Sequence, residues 1–172
     1  MSLNPRKWLL GWLVLTALPI CSADELPATP KAYFNDYANV TTAPKQQELN
    51  ERLASFDKET TNQVVVAIFP EMKSTSSMHD YTLKVANSWR VGQKAKHNGV
   101  VLFVFIRDYT MQIQVGTGLT GILPDALCKQ ILDRDLKPHF QNGDFDGGLT
   151  AGVDSILSTL KAGQHSNLPA PK

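Results

Sequence analysis

Cysteine is scarce in this 172-residue chain: there are two, Cys21 and Cys128, and neither belongs to a CxxC pair. If the N-terminal stretch described below is removed, Cys128 alone is left and no internal disulfide can form. Stability must then come from packing. Cys128 falls in a helical pattern, where the ordinary role of a lone thiol is that of a small buried apolar residue. An excess of either charge is also missing. The 17 Lys and Arg against 16 Asp and Glu leave a formal net charge of +1, and no basic stripe marks a nucleic-acid partner. There is no GxSxG nucleophile elbow and no internal repeat. Beyond the N-terminus, no apolar run reaches the roughly 20 residues that a membrane-spanning helix needs.

What the chain does have begins at its start. Arg6 and Lys7 precede the apolar run Trp8 to Ile20 and then Cys21-Ser22-Ala23, the positive, apolar, small-residue order of a secretory signal peptide. Residues 1–23 are read as that signal, with cleavage after Ala23. The expected location is therefore periplasmic or extracellular. Membrane association through an uncleaved anchor or a lipidated Cys21 is the alternative. Leu18-Pro19-Ile20-Cys21 makes a poor lipoprotein box, because Ile20 stands where a small residue is wanted. Removing Arg6 and Lys7 leaves 15 basic residues against 16 acidic ones. Residues 24–32, with Pro27 and Pro30, read as a linker, and residues 162–172, with Gly163 and two prolines, as a flexible tail. Between them, residues 33–161 suit one domain of about 130 residues with a single core.

Within that domain, Thr42 and Pro44 precede Leu49, Leu53 and Phe56 at helical spacing, which predicts a helix over 44–60. Gln63 to Phe69 and Val100 to Ile106 are uninterrupted apolar runs of the kind buried on both faces of a sheet. Between them, Ser77 and Asp80 form a capping pair ahead of Tyr81, Val85 and Trp89. Such a strand-helix-strand unit favours a parallel pair with a right-handed crossover. Met111 to Val115 alternates and is separated from Ile106 by only four residues, which demands an antiparallel hairpin. A third helix starts at Pro124-Asp125 and a fourth carries Leu149, Val153, Ile156, Leu157 and Leu160. The expected fold class is α/β, a three-layer sandwich in which about four helices cover a small, mixed, mostly parallel sheet with one antiparallel hairpin. The hairpin brings His97-Asn98-Gly99 and Gly116-Thr117-Gly118 to one end and leaves Asp108 at the other.

Two glycine-rich stretches invite stronger readings. GTGLTG at 116–121 fits GxGxxG, but it follows a hairpin strand exposing Gln112 and Gln114, whereas a dinucleotide loop follows a buried parallel strand. Dinucleotide binding is rejected. NGDFDG at 142–147 matches the first half of a calcium-binding EF-hand loop, yet the twelfth position, where a bidentate Glu belongs, is Val153. The plainer alternative is that Asp146 caps the fourth helix while Gly143 and Gly147 permit the turn.

Several short motifs then fall into one order: Phe34-Asn35-Asp36-Tyr37-Ala38, Trp89-Arg90-Val91-Gly92-Gln93-Lys94, Asn98-Gly99-Val100, Gly116-Thr117-Gly118-Leu119, Leu123-Pro124-Asp125-Ala126, Gly143-Asp144-Phe145-Asp146 and Ala151-Gly152-Val153-Asp154. Together they resemble the TPM-domain family, named from a plant thylakoid-lumen acid phosphatase, a photosystem II repair protein and a worm receptor modulator. The resemblance implies an α/β sandwich, often exported or membrane-tethered, with an acidic cleft that binds calcium in some members. Plant members have been called acid phosphatases, while others serve membrane complexes without clear catalysis.

The family pattern carries Asp-Asn-Gly before the central strand and usually Glu after Gly-x-Gly-Leu. This chain has His97 and Thr120 at those places. The cation ligands the resemblance implies are then Asp36, Asn98, Asp144 and Asp146, with His97, Thr120 and Asp125 as accessories. Calcium wants about six to eight oxygen ligands, so losing two carboxylates implies weakened calcium binding. Zinc or another divalent ion at His97 is the lesser alternative. The favoured function is a non-enzymatic exported module that supports or modulates a membrane or envelope complex. The hairpin edge at Gln112 and Gln114 offers one docking surface. The alternative is a weak metal-dependent acid phosphatase in which Asp36, Asp144 and Asp146 hold a cation and the helix start at Pro124 faces the phosphate. That alternative lacks an indicated nucleophile, and its only basic candidates, Lys94 and Lys96, lie in a loop expected to be mobile.

Overall fold

The computed structural model describes residues 26–166. The expected signal peptide, the Cys21 question and the last residues of the tail lie outside them. Four strands form one sheet in the order β1 (Phe34–Asp36), β2 (Gln63–Phe69), β3 (Gly99–Phe105), β4 (Thr110–Val115). β1 pairs parallel with β2 and β2 with β3, and β4 returns antiparallel to β3 with Val100 opposite Val115. The mixed sheet with one antiparallel hairpin is the expected one. β1 adds an edge strand that three residues are too few to announce by any period.

Helix α1 (Ala43–Thr60) follows β1, and its Leu49, Leu53 and Phe56 are buried. These three side chains meet Val64, Val66 and Ile68, the alternate residues of β2 that point to one face. Helix α2 (Met78–Trp89) buries Tyr81, Val85 and Trp89 against Val65, Ala67, Val101, Phe103 and Phe105 on the other face. Both faces of β2 and β3 are therefore covered, which is why their sequences run apolar without alternation. Each fully buried Leu or Phe contributes about 1.5–3 kcal/mol, and truncating Leu53 to Ala is expected to cost about 2–5 kcal/mol. β1, β2 and β3 lie side by side and parallel while α1 and α2 lie on opposite faces. The two crossovers consequently have opposite hands, and only one obeys the right-handed preference.

On the α1 face, α3 (Asp125–Ile131) runs on through a π-helical turn at Leu132–Leu136 into α4 (Lys137–Gln141). The wide turn lies directly before Pro138, which has no N–H to offer the preceding turn. Helix α5 (Phe145–Ser166) packs on this turn at Gly152, where an added Cβ would sit 2.3 Å from Leu136 Cδ1. α5 also extends to Ser166, so the first residues of the expected tail are helical. In the expected linker, Pro27 is held, since the Trp89 indole donates to its carbonyl at 2.8 Å.

The strand directions define two ends of the sheet. Asp36, Phe69 and Phe105 close the strands at one end, and Gly99 and Gly116 meet at the other through a 2.8 Å hydrogen bond.

Candidate functional site

At the end where β1 finishes, Asp36 is enclosed by its own loop. Its Oδ1 accepts the Ala38 N–H at 3.0 Å. Its Oδ2 accepts the Val40 and Thr41 N–H groups, each at 2.9 Å, and the Thr41 hydroxyl at 2.6 Å. A carboxylate is needed here because no neutral side chain so short accepts four donors. The next residue continues the link. The Thr42 N–H and hydroxyl donate to the two oxygens of Asp146 at 3.1 and 2.7 Å. Thr42 stands at the N-cap of α1, where its hydroxyl would ordinarily serve the helix; here it serves Asp146 instead. Asp36 and Asp146 are thus brought together through the consecutive residues Thr41 and Thr42.

FQNGDFDGG (140–148) resolves into a helix end and a helix start. Gly143, at φ +75°, takes the left-handed conformation that closes α4, and Asp144 N–H donates to His139 O at 2.9 Å. The cap of α5 is Asp144, not Asp146 as the spacing suggested, since Asp144 Oδ1 accepts the Gly147 N–H at 2.9 Å. Its Oδ2 meets His139 Nδ1 at 2.7 Å. The His139 contact first, and the Gly147 N–H second, hold the Asp144 carboxyl below the usual carboxylate range.

Asn98 lies at the other end. Its side-chain oxygen accepts the Gln93 N–H at 2.8 Å, and its amide donates to Thr61 O at 2.6 Å and Asn62 Oδ1 at 3.2 Å. Asp36 is level with Ile68 and hence Val104, six residues beyond Asn98 along β3. At about 3.3 Å per residue the two are about 20 Å apart. The expected convergence of Asp36, Asn98, Asp144 and Asp146 on one rim therefore does not hold. In a parallel pair, the end of one strand and the start of its neighbour lie at opposite ends of the sheet. The carboxylates alone gather at the Asp36 end, each bonded within the chain. A six-to-eight oxygen calcium shell does not fit this division, and among the described residues no three His, Cys, Asp or Glu side chains are grouped to hold a metal ion.

The accessory residues are dispersed as well. His97 is exposed in the loop before Asn98, at φ +48°. Thr120 donates to Thr117 O within its own turn at 3.1 Å. Asp125 begins α3 near Cys128, whose thiol is pushed up to about 11 by burial and then by the Asp125 charge. Such a thiol is no nucleophile at neutral pH.

Two further expectations change. Gln114 is buried, its amide bonded to the Thr82 hydroxyl at 2.9 Å, so the hairpin edge does not expose both glutamines. The loop bearing Lys94 and Lys96, expected to be mobile, is braced: Gly92 N–H donates to Gln63 Oε1 at 2.6 Å and Gln93 N–H to Asn98, while Lys96 and His97 N–H groups both donate to Gln93 O. No periodic signal marks the roles of Gln63 and Thr42, whose contacts reach Gly92 and Asp146 across 29 and 104 residues, or of His139, which turns back on Asp144 five residues on.

Residues 34–159 match the TPM domain family, and the chain belongs to it. No curated protein matches the sequence. Among solved structures, the N-terminal domain of a protein from P. gingivalis is similar at 27% identity and a TM-score of 0.71, over 78% of this chain and 85% of that one. The BA42 protein of the psychrophilic bacterium Bizionia argentinensis shares 19% identity with a TM-score of 0.60, over 74% and 86% of the two chains. The N-terminal domain of the cg2496 protein of Corynebacterium glutamicum shares 14% with a TM-score of 0.59, over 86% and 89%. The last two likenesses concern the fold. No helix among the described residues is long and apolar enough to cross a membrane.

Proposed function

We propose that this TPM-domain chain is an exported, non-enzymatic module that supports or modulates a membrane or envelope complex, with a degenerate divalent-cation site. The observation that carries this reading is the engagement of Asp36, Asp144 and Asp146. All six of their carboxylate oxygens accept or share hydrogen bonds with the chain's own loops and helix starts. Oxygens committed in this way brace the fold. A cation would have to displace those donors, so calcium binds weakly, through Asp36 and Asp146, and Asn98 takes no part. Phosphoryl transfer needs a nucleophile or positioned water and convergent positive groups at the phosphate, and the raised Cys128 thiol supplies no nucleophile.

The test is hydrolysis of p-nitrophenyl phosphate by the purified protein with calcium, magnesium or zinc, beside a folded Asp144→Ala, Asp146→Ala variant. The expected result is a rate equal to the buffer blank for both. Turnover by the wild type that disappears in the variant would establish the phosphatase instead.

A further inference from the structure

The face of the sheet covered by α2 keeps an open groove of about 440 Å³ between the C-terminal half of α2, the 90–99 loop and the end of β4. Its apolar lining includes Leu83, Ala86, Val91, Val101 and Val115, and Leu83 remains 41% exposed. The basic residues that line it are Arg90, Lys94 and His97, with no carboxylate among them. Among the described residues none of these three side chains has a hydrogen-bond or ion-pair partner. The surrounding sequence is equally one-sided. From Tyr81 to Leu123 the single acid is Asp108, at the opposite end of the hairpin, against Lys84, Arg90, Lys94, Lys96 and Arg107. The groove is therefore apolar below, cationic at its lip, and carried by a loop that Gln63 and Asn98 hold in place.

We infer that this groove docks an acidic segment of a protein partner, with an apolar side chain seated between α2 and β4 and neighbouring carboxylates at Arg90 and Lys94. The inference rests on the docking function proposed above and names its surface. An isolated phosphate suits the site poorly, because phosphate cradles are built from free backbone N–H groups. Here the N–H groups of Gly92, Gln93, Lys96, His97, Gly116 and Gly118 all donate within the chain. The cations that remain are spread along a lip, the arrangement that meets successive carboxylates on a chain and steers their approach. A membrane surface is a weaker fit, since Leu83 is the lone large apolar side chain exposed at the groove.

The full chain is used to select from a displayed library of random peptides of about a dozen residues, a length that spans such a groove. Counter-selection uses the Arg90→Glu, Lys94→Glu variant. The expected result is enrichment of peptides with acidic residues flanking an apolar one, bound roughly tenfold more weakly by the variant and in half-molar salt, and shifting the amide resonances of residues 90–99. Both side chains are exposed; if the double variant nonetheless misfolds, Lys94→Glu alone and the salt series make the same comparison. No enrichment, enrichment of neutral or basic peptides, or equal binding by wild type and variant overturns the assignment. So does saturable binding of inorganic phosphate or of phosphatidylglycerol vesicles without peptide binding. Those outcomes leave the non-enzymatic reading intact, whereas metal-dependent hydrolysis would remove that reading without moving the peptide result.

Discussion

Asp146, in the first turn of α5, accepts two hydrogen bonds from Thr42, the residue at the head of α1. Two helices more than 100 residues apart in sequence are thereby fastened at their N-terminal ends, where a negative charge also suits both helix dipoles. Asp146→Ala is expected to lower stability by about 1 kcal/mol. Thr42→Val should cost a similar amount, and the double variant less than the sum, because both single changes break the same link. Urea titrations of the four proteins measure this coupling.

Asp36 carries more of the fold. Its replacement by Ala would strand three N–H groups and a hydroxyl in the 38–41 loop. The expected cost is about 2–3 kcal/mol, with Asp36→Asn intermediate because it keeps one acceptor oxygen. Faster amide exchange at Val40 and Thr41 in Asp36→Asn would locate the loss in that loop.

The Asp144 cap makes stability depend on acid pH. Its folded pKa is lowered, by His139 first and the Gly147 N–H second. Its contribution is therefore fully present above the ordinary carboxylate pKa and is lost as pH falls through the lowered folded value. Melting temperature followed from neutral pH into acid should fall more gently for Asp144→Asn than for the wild type below about pH 4. Parallel curves would remove the cap from the account.

Cys128, raised to about 11 and 5% exposed, should remain unmodified by iodoacetamide at pH 8 in the folded protein and react once the chain is unfolded. Mass spectrometry of the peptide containing residue 128 checks this. Rapid labelling of the native protein would mean that the α3 face opens.

The elements with strong periods were legible in the sequence: α2 from its Ser77 cap and apolar stripe, β2 and β3 from runs buried on both faces, and β4 from its short hairpin. β1 was hidden, because Phe34 to Asp36 is too brief to alternate and is a strand only through pairing with β2. The π turn depends on how Pro138 is accommodated, which spacing does not report. Gln114 read as exposed because alternation places it off the α1 face, but α2 reaches across and buries it. The candidate site was legible as residues and not as a place. Asp36 ends a strand and Asn98 precedes one, so the parallel order of β1, β2 and β3 divides them, and only the register of all three strands exposes that division.

The most direct measurement of the central claim is a calcium titration followed by NMR, reading the carboxyl carbons of Asp36, Asp144 and Asp146 together with the side-chain amide of Asn98. The account predicts no change at Asn98 and only weak effects at Asp36 and Asp146, with half-saturation at about 1 mM or above. Saturation of all four signals together at micromolar calcium would contradict it.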